Sequence, residues 1–196
     1  MKPEIEAKFL NVNHGDIRDK LQSIGAVCEQ PMRLMRRVVV ETEDMKNNNS
    51  FVRVRDEGGK VTMTYKKFDE LSVDGTKEIE IVVDDFDTAV ELIDTTCPEQ
   101  NRRSYQESKR ETWSIDGVEI VLDEWPWIKP YIEIEGESEE DLKSVAQKLG
   151  LDWSDAVFGD VMVAYRAEYP HLDNTDTVGA IEEVKFSQAL PALLKS

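Results

Sequence analysis

Charged and apolar side chains alternate through residues 3–9, Pro3-Glu4-Ile5-Glu6-Ala7-Lys8-Phe9, the period of a strand with one polar and one buried face. Asn13 then opens a stretch in which Ile17, Leu21 and Ile24 recur at helical spacing before Gly25 ends it. Extended runs follow at residues 37–41, 51–55, 61–66 and 77–83, and Asp56-Glu57-Gly58-Gly59 supplies a hairpin turn between the second and third. Residues 86–95 read as a helix with Ala89, Val90 and Ile93 on its apolar face. Three more alternating runs occupy 106–115, 118–125 and 131–136, the first two joined at Asp116-Gly117. Ser138-Glu139-Glu140-Asp141 resembles a capping box with Asp in the usual Glu position, opening a helix to about Leu149 that Gly150 stops.

Sorting each run by parity sharpens the pattern. Glu4, Glu6 and Lys8 lie opposite Ile5, Ala7 and Phe9, and Arg53 and Arg55 lie opposite Val52 and Val54. Thr62, Thr64 and Lys66 oppose Val61, Met63 and Tyr65, and Glu78 and Glu80 oppose Ile79 and Ile81. Glu119 and Asp123 oppose Val118, Ile120 and Leu122, while Glu133 and Glu135 oppose Ile132 and Ile134. An antiparallel sheet with one solvated face explains any single strand. It does not explain why like charges come in pairs on one strand, where side chains two apart point the same way at roughly 7 Å. Such clusters cost free energy unless something neutralises them.

If the sheet curls with its charged face inward, carboxylates and cations approach across a lumen, and closure removes exposed strand edges. A hard dication would suit the carboxylates, and phosphate oxygens would suit the arginine forks and lysines.

Composition narrows the classes. The chain has 196 residues, 40% hydrophobic and 33% charged, which fits one globular domain with a sizeable core. A formal net charge of −17 disfavours a nucleic-acid duplex or an anionic membrane as partner, so a phosphate ligand needs a local basic site. No apolar run approaches membrane-spanning length and the start lacks a signal-peptide core, so a cytoplasmic protein is expected. Cys28 and Cys97 stand apart from any ligand cluster and are expected as buried free thiols. His14 and His171, equally isolated, are expected as surface or capping residues. No GxxxxGK[ST] loop occurs.

Glu4-Ile5-Glu6-Ala7-Lys8 resembles the ExExK signature of the CYTH family, also called triphosphate tunnel metalloenzymes. Arg53-Val54-Arg55, Thr64-Tyr65-Lys66, Glu78-Ile79-Glu80, Lys109-Arg110, Leu122-Asp123-Glu124 and Ile132-Glu133-Ile134-Glu135-Gly136 follow in that family's order, so the resemblance spans about residues 1–168. It implies an α+β fold, an eight-stranded antiparallel β-barrel forming a triphosphate tunnel with flanking helices, over residues 1–170. Residues 171–196 would be a C-terminal extension, partly helical around 184–194 despite Pro191.

On this resemblance Glu4, Glu6, Glu133 and Glu135 would hold Mg²⁺ or Mn²⁺, with Asp123, Glu78 and Glu80 supporting them. Lys8, Arg53, Arg55, Lys66 and Arg110 would hold phosphate oxygens, and Glu4, Glu6 and Lys8 would be catalytic. Lys109 has the opposite parity to Arg110, so Arg110 is the one expected inside. The segment Arg33-Leu34-Met35-Arg36-Arg37-Val38 is either a further phosphate contact or a surface basic cluster. Lys46 is placed on a loop away from the site.

The expected reaction is metal-dependent hydrolysis of tripolyphosphate or an organic triphosphate by a monomer or homodimer. The first rival is a class IV adenylyl cyclase, whose adenine could use Trp113, Trp125, Trp127 or Tyr131. Trp113 shares the parity of apolar positions and is expected to pack on a helix instead. The other rivals are a non-catalytic polyphosphate- or nucleotide-binding module and a plain structural β domain. Seven acids on aligned faces favour a metal-holding site over either.

Overall fold

The computed structural model describes residues 2–68, 76–97 and 100–195; the side chains of 2–4, 76 and 100–102 lie outside that description. In chain order the described elements are β1 (Lys2–Leu10), α1 (His14–Ser23), β2 (Val27–Thr42), α2 (Glu43–Asn47), β3 (Ser50–Asp56), β4 (Val61–Phe68) and β5 (Thr76–Val83). There follow α3 (Phe86–Thr96), β6 (Gln100–Ile115), β7 (Val118–Glu124), β8 (Tyr131–Gly136), α4 (Glu139–Lys148), α5 (Met162–Glu168) and β9 (Glu183–Val184).

The strands run β2-β3-β4-β5-β1-β8-β7-β6, and β6 pairs back onto β2, so eight antiparallel strands close on themselves. Closure leaves each of the eight with a partner on both sides, the arrangement that removes sheet edges. β9 adds beside β6 in parallel. The β6–β7 turn has positive φ at both Asp116 (53°) and Gly117 (82°), as a type I′ hairpin requires.

The outward-facing apolar residues make the core. Ala7, Phe9, Trp113, Ile120, Leu122, Ile132 and Ile134 pack beneath Ile17 and Leu21 of α1 and Leu142, Val145 and Ala146 of α4. Val38, Val40 and Val54 pack under Phe86, Ala89, Val90 and Ile93 of α3. Helices therefore clothe the outside of these strands and leave the charged face to the lumen, as parity demands, while Ile79 and Ile81 on the outer face of β5 stay exposed. The caps are as the sequence suggests at Asn13, whose side chain accepts from the amides of Gly15 and Asp16. At Ser138 the hydroxyl caps the Asp141 amide and also donates to the Asp141 carboxylate, rather than that carboxylate reaching back to the backbone.

Several expectations change. Residues 184–194 form no α-helix: Val184 is drawn into strand pairing with Gln106, and Pro191 leads only a short 3₁₀ turn at 192–194. α2 and α5 are additional. Lys46 lies in α2, not on a loop, and its side chain reaches the lumen. His14 is buried, with Nε2 3.0 Å from the Tyr131 carbonyl oxygen. Both cysteines are free thiols, but Cys28 is exposed and Cys97 only partly covered.

The extension packs against the barrel. Leu172, Val178, Val184 and Leu194 join Met162, Ala164 and Tyr165 of α5 over Trp125 and Tyr131. No described helix is long and apolar enough to cross a membrane.

Candidate functional site

The lumen is a cavity of about 880 Å³. Its position follows from register. Glu6 on β1 stands directly opposite Glu135 on β8, and Glu135 in turn opposite Glu119 on β7, so three carboxylates form a row across neighbouring strands. Lys8 stands opposite Glu133 in the next inward-facing row. On the other wall Arg53 is level with Thr64 and then Glu80, Lys66 is level with Glu78, and Arg55 faces Arg37 across β2–β3. All of these except Thr64 line the cavity.

Like charges directly across a strand pair are unfavourable, and here three such juxtapositions, Glu6 with Glu135, Glu135 with Glu119, and Arg37 with Arg55, occur inside one cavity. Lys8 offsets part of the acidic side: its Nζ lies 3.1 Å from Glu6 and 2.8 Å from Glu133. Burial works against the ammonium charge, but Glu133 and Glu6 outweigh it and hold Lys8 well above the usual lysine range. Burial likewise pushes the Glu133 carboxyl up, yet Lys8 and Arg110 hold it well below the ordinary carboxylate range. Glu119 keeps its upward shift, from burial first and the nearby Glu133 charge after it.

Arg110 donates from Nε and a terminal nitrogen to Asp123 at 2.8 and 2.6 Å, and lies 3.9 Å from Glu133. Asp123 is fully buried and is not part of the cavity lining, so the structure places it behind Arg110 as its anchor. Lys109 points the other way, to Glu124 at 3.3 Å. Glu80 sits among cations and a hydroxyl, 4.0 Å from Arg53, 3.3 Å from Lys60 and 3.0 Å from the Thr64 hydroxyl that donates to it. Glu78 and Glu80 thus belong to the basic wall, apart from the Glu6 row. Glu4 lies in β1 level with Thr76, and its side chain is outside the described residues.

Some lining residues were not named as site residues from sequence, and Arg37 was named only within a basic segment left open between a phosphate contact and a surface cluster. Arg37 turns inward, its guanidinium 4.5 Å from the Trp125 ring centroid, with a short hydrogen bond to Ser108. Arg33 and Arg36 of the same segment are partly covered and pair with Glu57 and Asp56. The alternation of Arg37 with Val38 and Val40 carried that signal. Glu119 shares a parity class with Asp123 and was equally legible. The wall from Asp160 and Arg166 to residues 174–179 carried none. Among the aromatic side chains, Trp125, Tyr131, Phe51 and Phe68 line the cavity. Trp113 is in the outer core, and its indole donates to Glu111 at 2.7 Å. Trp127 instead donates to the Gln188 carbonyl.

As the side chains stand, no three acidic, imidazole or thiol groups among the described residues converge on one ion. Lys8 occupies the space between Glu6 and Glu133. The donor chemistry nevertheless fits a hard dication: Glu6, Glu119, Glu133 and Glu135 offer carboxylate oxygens, and neither histidine nor cysteine lines the cavity.

The family model for the CYTH domain matches residues 2–155. This chain belongs to the CYTH family. Solved structures agree on the fold. A candidate adenylate cyclase from Vibrio parahaemolyticus superposes with a TM-score of 0.70 at 14% identity, covering 83% of this chain and 97% of that one. The PH1012 protein of Pyrococcus horikoshii OT3 gives 0.66 at 25% identity, over 78% and 93%. A candidate adenylyl cyclase from Hippeastrum, reported to have a dominant triphosphatase activity, gives 0.57 at 16%, over 84% and 95%. No curated protein matches the sequence. The CYTH match ends before α5 and the extension, so the cavity wall from Asp160 to Gly179 lies outside the matched region.

Proposed function

We propose that this CYTH protein is a divalent-metal-dependent triphosphatase acting on tripolyphosphate or an organic triphosphate. The observation that carries the reading is the division of one closed lumen into a carboxylate row, Glu6-Glu135-Glu119, and a basic wall containing Arg37, Arg53, Arg55 and Lys66. Each half carries some counter-charge of its own, Lys8 among the acids and Glu57 and Glu80 among the cations, and a metal with a polyanion would add to both at once.

Glu6, Glu133 and Glu135, with Glu119, would hold Mg²⁺ or Mn²⁺, and Glu4 belongs with them by its place in the ExExK motif. The bound dication would neutralise phosphate oxygens as charge develops on them. Arg53, Arg55, Lys66 and Arg110 would hold the phosphate chain in line, Arg110 kept in place by its two-pronged pair with Asp123. Lys8, locked between two carboxylates, would present its ammonium to the terminal phosphate. Glu6 would orient the attacking water: the water oxygen would bond to the terminal phosphorus, the bridging P–O bond would break with its electron pair going to the departing diphosphate, the water's proton would pass through Glu6 to solvent, and the terminal phosphoryl group would be released as orthophosphate.

Hydrolysis is preferred to cyclisation because the aromatic residues suggested for adenine are largely committed elsewhere: Trp113 to the core, Trp127 to Gln188, and one face of Trp125 to Arg37. The test is incubation with tripolyphosphate and with ATP, each with Mg²⁺, Mn²⁺ or EDTA, following phosphate, pyrophosphate and cyclic AMP together. Metal-dependent orthophosphate supports the proposal. Cyclic AMP with equal pyrophosphate replaces it with a cyclase, and metal-dependent binding without turnover replaces it with a binding module.

A further inference from the structure

We infer that Arg37 is a further anion-binding residue of the tunnel, gripping the phosphate chain beside Arg53 and Arg55. The inference rests on the triphosphate reading above.

Arg37 is buried, 6% exposed, yet forms no ion pair with a carboxylate among the described residues. Asp123, the acid whose charge favours the Arg37 guanidinium, is already held by Arg110 in two hydrogen bonds. Arg37 donates to the Ser108 hydroxyl and lies on Trp125, which fixes the guanidinium without neutralising it. Its Nε is buried with no hydrogen-bond partner. Burial disfavours its charge, and the guanidiniums of Arg53, Arg55 and Arg110 add to that cost. Arginine does not shed its proton under such pressure, so the cost stays in the protein until an anion arrives.

A purely structural role would be better filled by a neutral side chain of similar volume, because an unpaired buried charge is strongly unfavourable. What the position has instead is a preorganised fork on the cavity surface, opposite Arg55 in register. Preorganisation by Ser108 and Trp125 means that little side-chain freedom remains to be lost on binding.

The experiment uses the full chain and inorganic tripolyphosphate, by calorimetry and thermal melting, with Mg²⁺ and with EDTA. The variants are Arg37→Gln, Arg37→Lys and, as reference, Arg53→Gln. The expected result is binding at least ten times weaker in Arg37→Gln, an intermediate loss in Arg37→Lys, and a smaller rise in Tm on adding tripolyphosphate. Without ligand, Arg37→Gln should melt no lower than the wild type, since one member of a repelling cluster has gone. Wild-type-like binding by Arg37→Gln alongside a loss in Arg53→Gln would overturn the role of Arg37 while leaving the triphosphate reading intact. Should Arg37→Gln fail to fold, Arg37→Lys decides: weakened binding supports the inference and unchanged binding overturns it. No binding by the wild type would overturn the triphosphate reading and this inference with it.

Discussion

Lys8 on β1 and Glu133 on β8 stand directly opposite each other inside the barrel, ammonium to carboxylate at 2.8 Å, with both side chains almost wholly buried. Lys8 also holds Glu6 at 3.1 Å. One ammonium thus offsets part of a cluster that includes Glu135. Replacing it, Lys8→Met, takes the nearest counter-charge from two buried carboxylates, leaving Glu133 with Arg110 at 3.9 Å, and should cost about 3 kcal/mol of stability in EDTA. Mg²⁺ should restore part of that loss, because a dication can take over the neutralisation. Urea denaturation with and without Mg²⁺ measures both effects; an Mg²⁺-insensitive loss would detach this cluster from metal binding.

Asp123 acts through Arg110. Asp123→Asn should remove one charge-assisted bond and leave Arg110 poorly aimed, lowering kcat/KM by roughly tenfold to a hundredfold, the worth of about 1.5–3 kcal/mol. The Mg²⁺ concentration giving half-maximal rate should stay where it is. A large shift in that concentration, with Arg110 still in place, would instead make Asp123 part of the metal site.

Much of this site was legible in the sequence because a strand has a two-residue period. Parity alone sends Glu6, Lys8, Arg53, Arg55, Glu133 and Glu135 to one face, and separates Arg110 from Lys109. Parity also marks Arg37, but irregular pairing between Cys28 and Arg33 interrupts the register of β2, and three arginines in five residues look like a surface cluster. Asp123 has the right parity and still lies behind the lining, because side-chain direction does not say which neighbour is met first. α5 and the extension were hidden for a different reason. Their apolar residues are too sparse for a clear period, and their conformation is set by packing over Trp125 and Tyr131.

Asp56 gives a pH test away from the acids proposed to hold a metal. Burial pushes its carboxyl up, but the Gly58 amide and Arg36, at 2.8 and 2.9 Å, outweigh that and hold it below the ordinary range. A depressed folded-state value stabilises the protein above the unfolded pKa, about 3.9, and the contribution disappears as pH falls through the folded value. Asp56→Asn should therefore cost about 0.5–1 kcal/mol at neutral pH, discounted for the half-exposed Arg36, and progressively less as the pH falls below about 3.9. Denaturant midpoints on both sides of that pH check it; a difference that does not shrink as the pH falls would point to packing, not charge.

Removing residues 171–196 should do more than trim a tail. Leu172, Val178, Val184 and Leu194 are each buried, and each contributes about 1.5–3 kcal/mol on burial. Together these approach the whole stability of an ordinary domain. A chain ending at Pro170 is expected to be insoluble or to melt far below the full protein in a thermal scan. Unchanged melting would make the extension a dispensable appendage.

Under the proposed function the Glu6-Glu135-Glu119 row holds the metal that activates a triphosphate on the basic wall. Its most direct test is orthophosphate release from tripolyphosphate against Mg²⁺ concentration, in the wild type and in Glu135→Gln, with Lys129→Gln as a control on the outer surface. The expected result is no release in EDTA, a saturable Mg²⁺ dependence in the wild type and in the control, and for Glu135→Gln a weaker Mg²⁺ response with a loss of at least a hundredfold in rate. Release that proceeds in EDTA, or a Glu135→Gln protein with the wild-type Mg²⁺ curve, would contradict it.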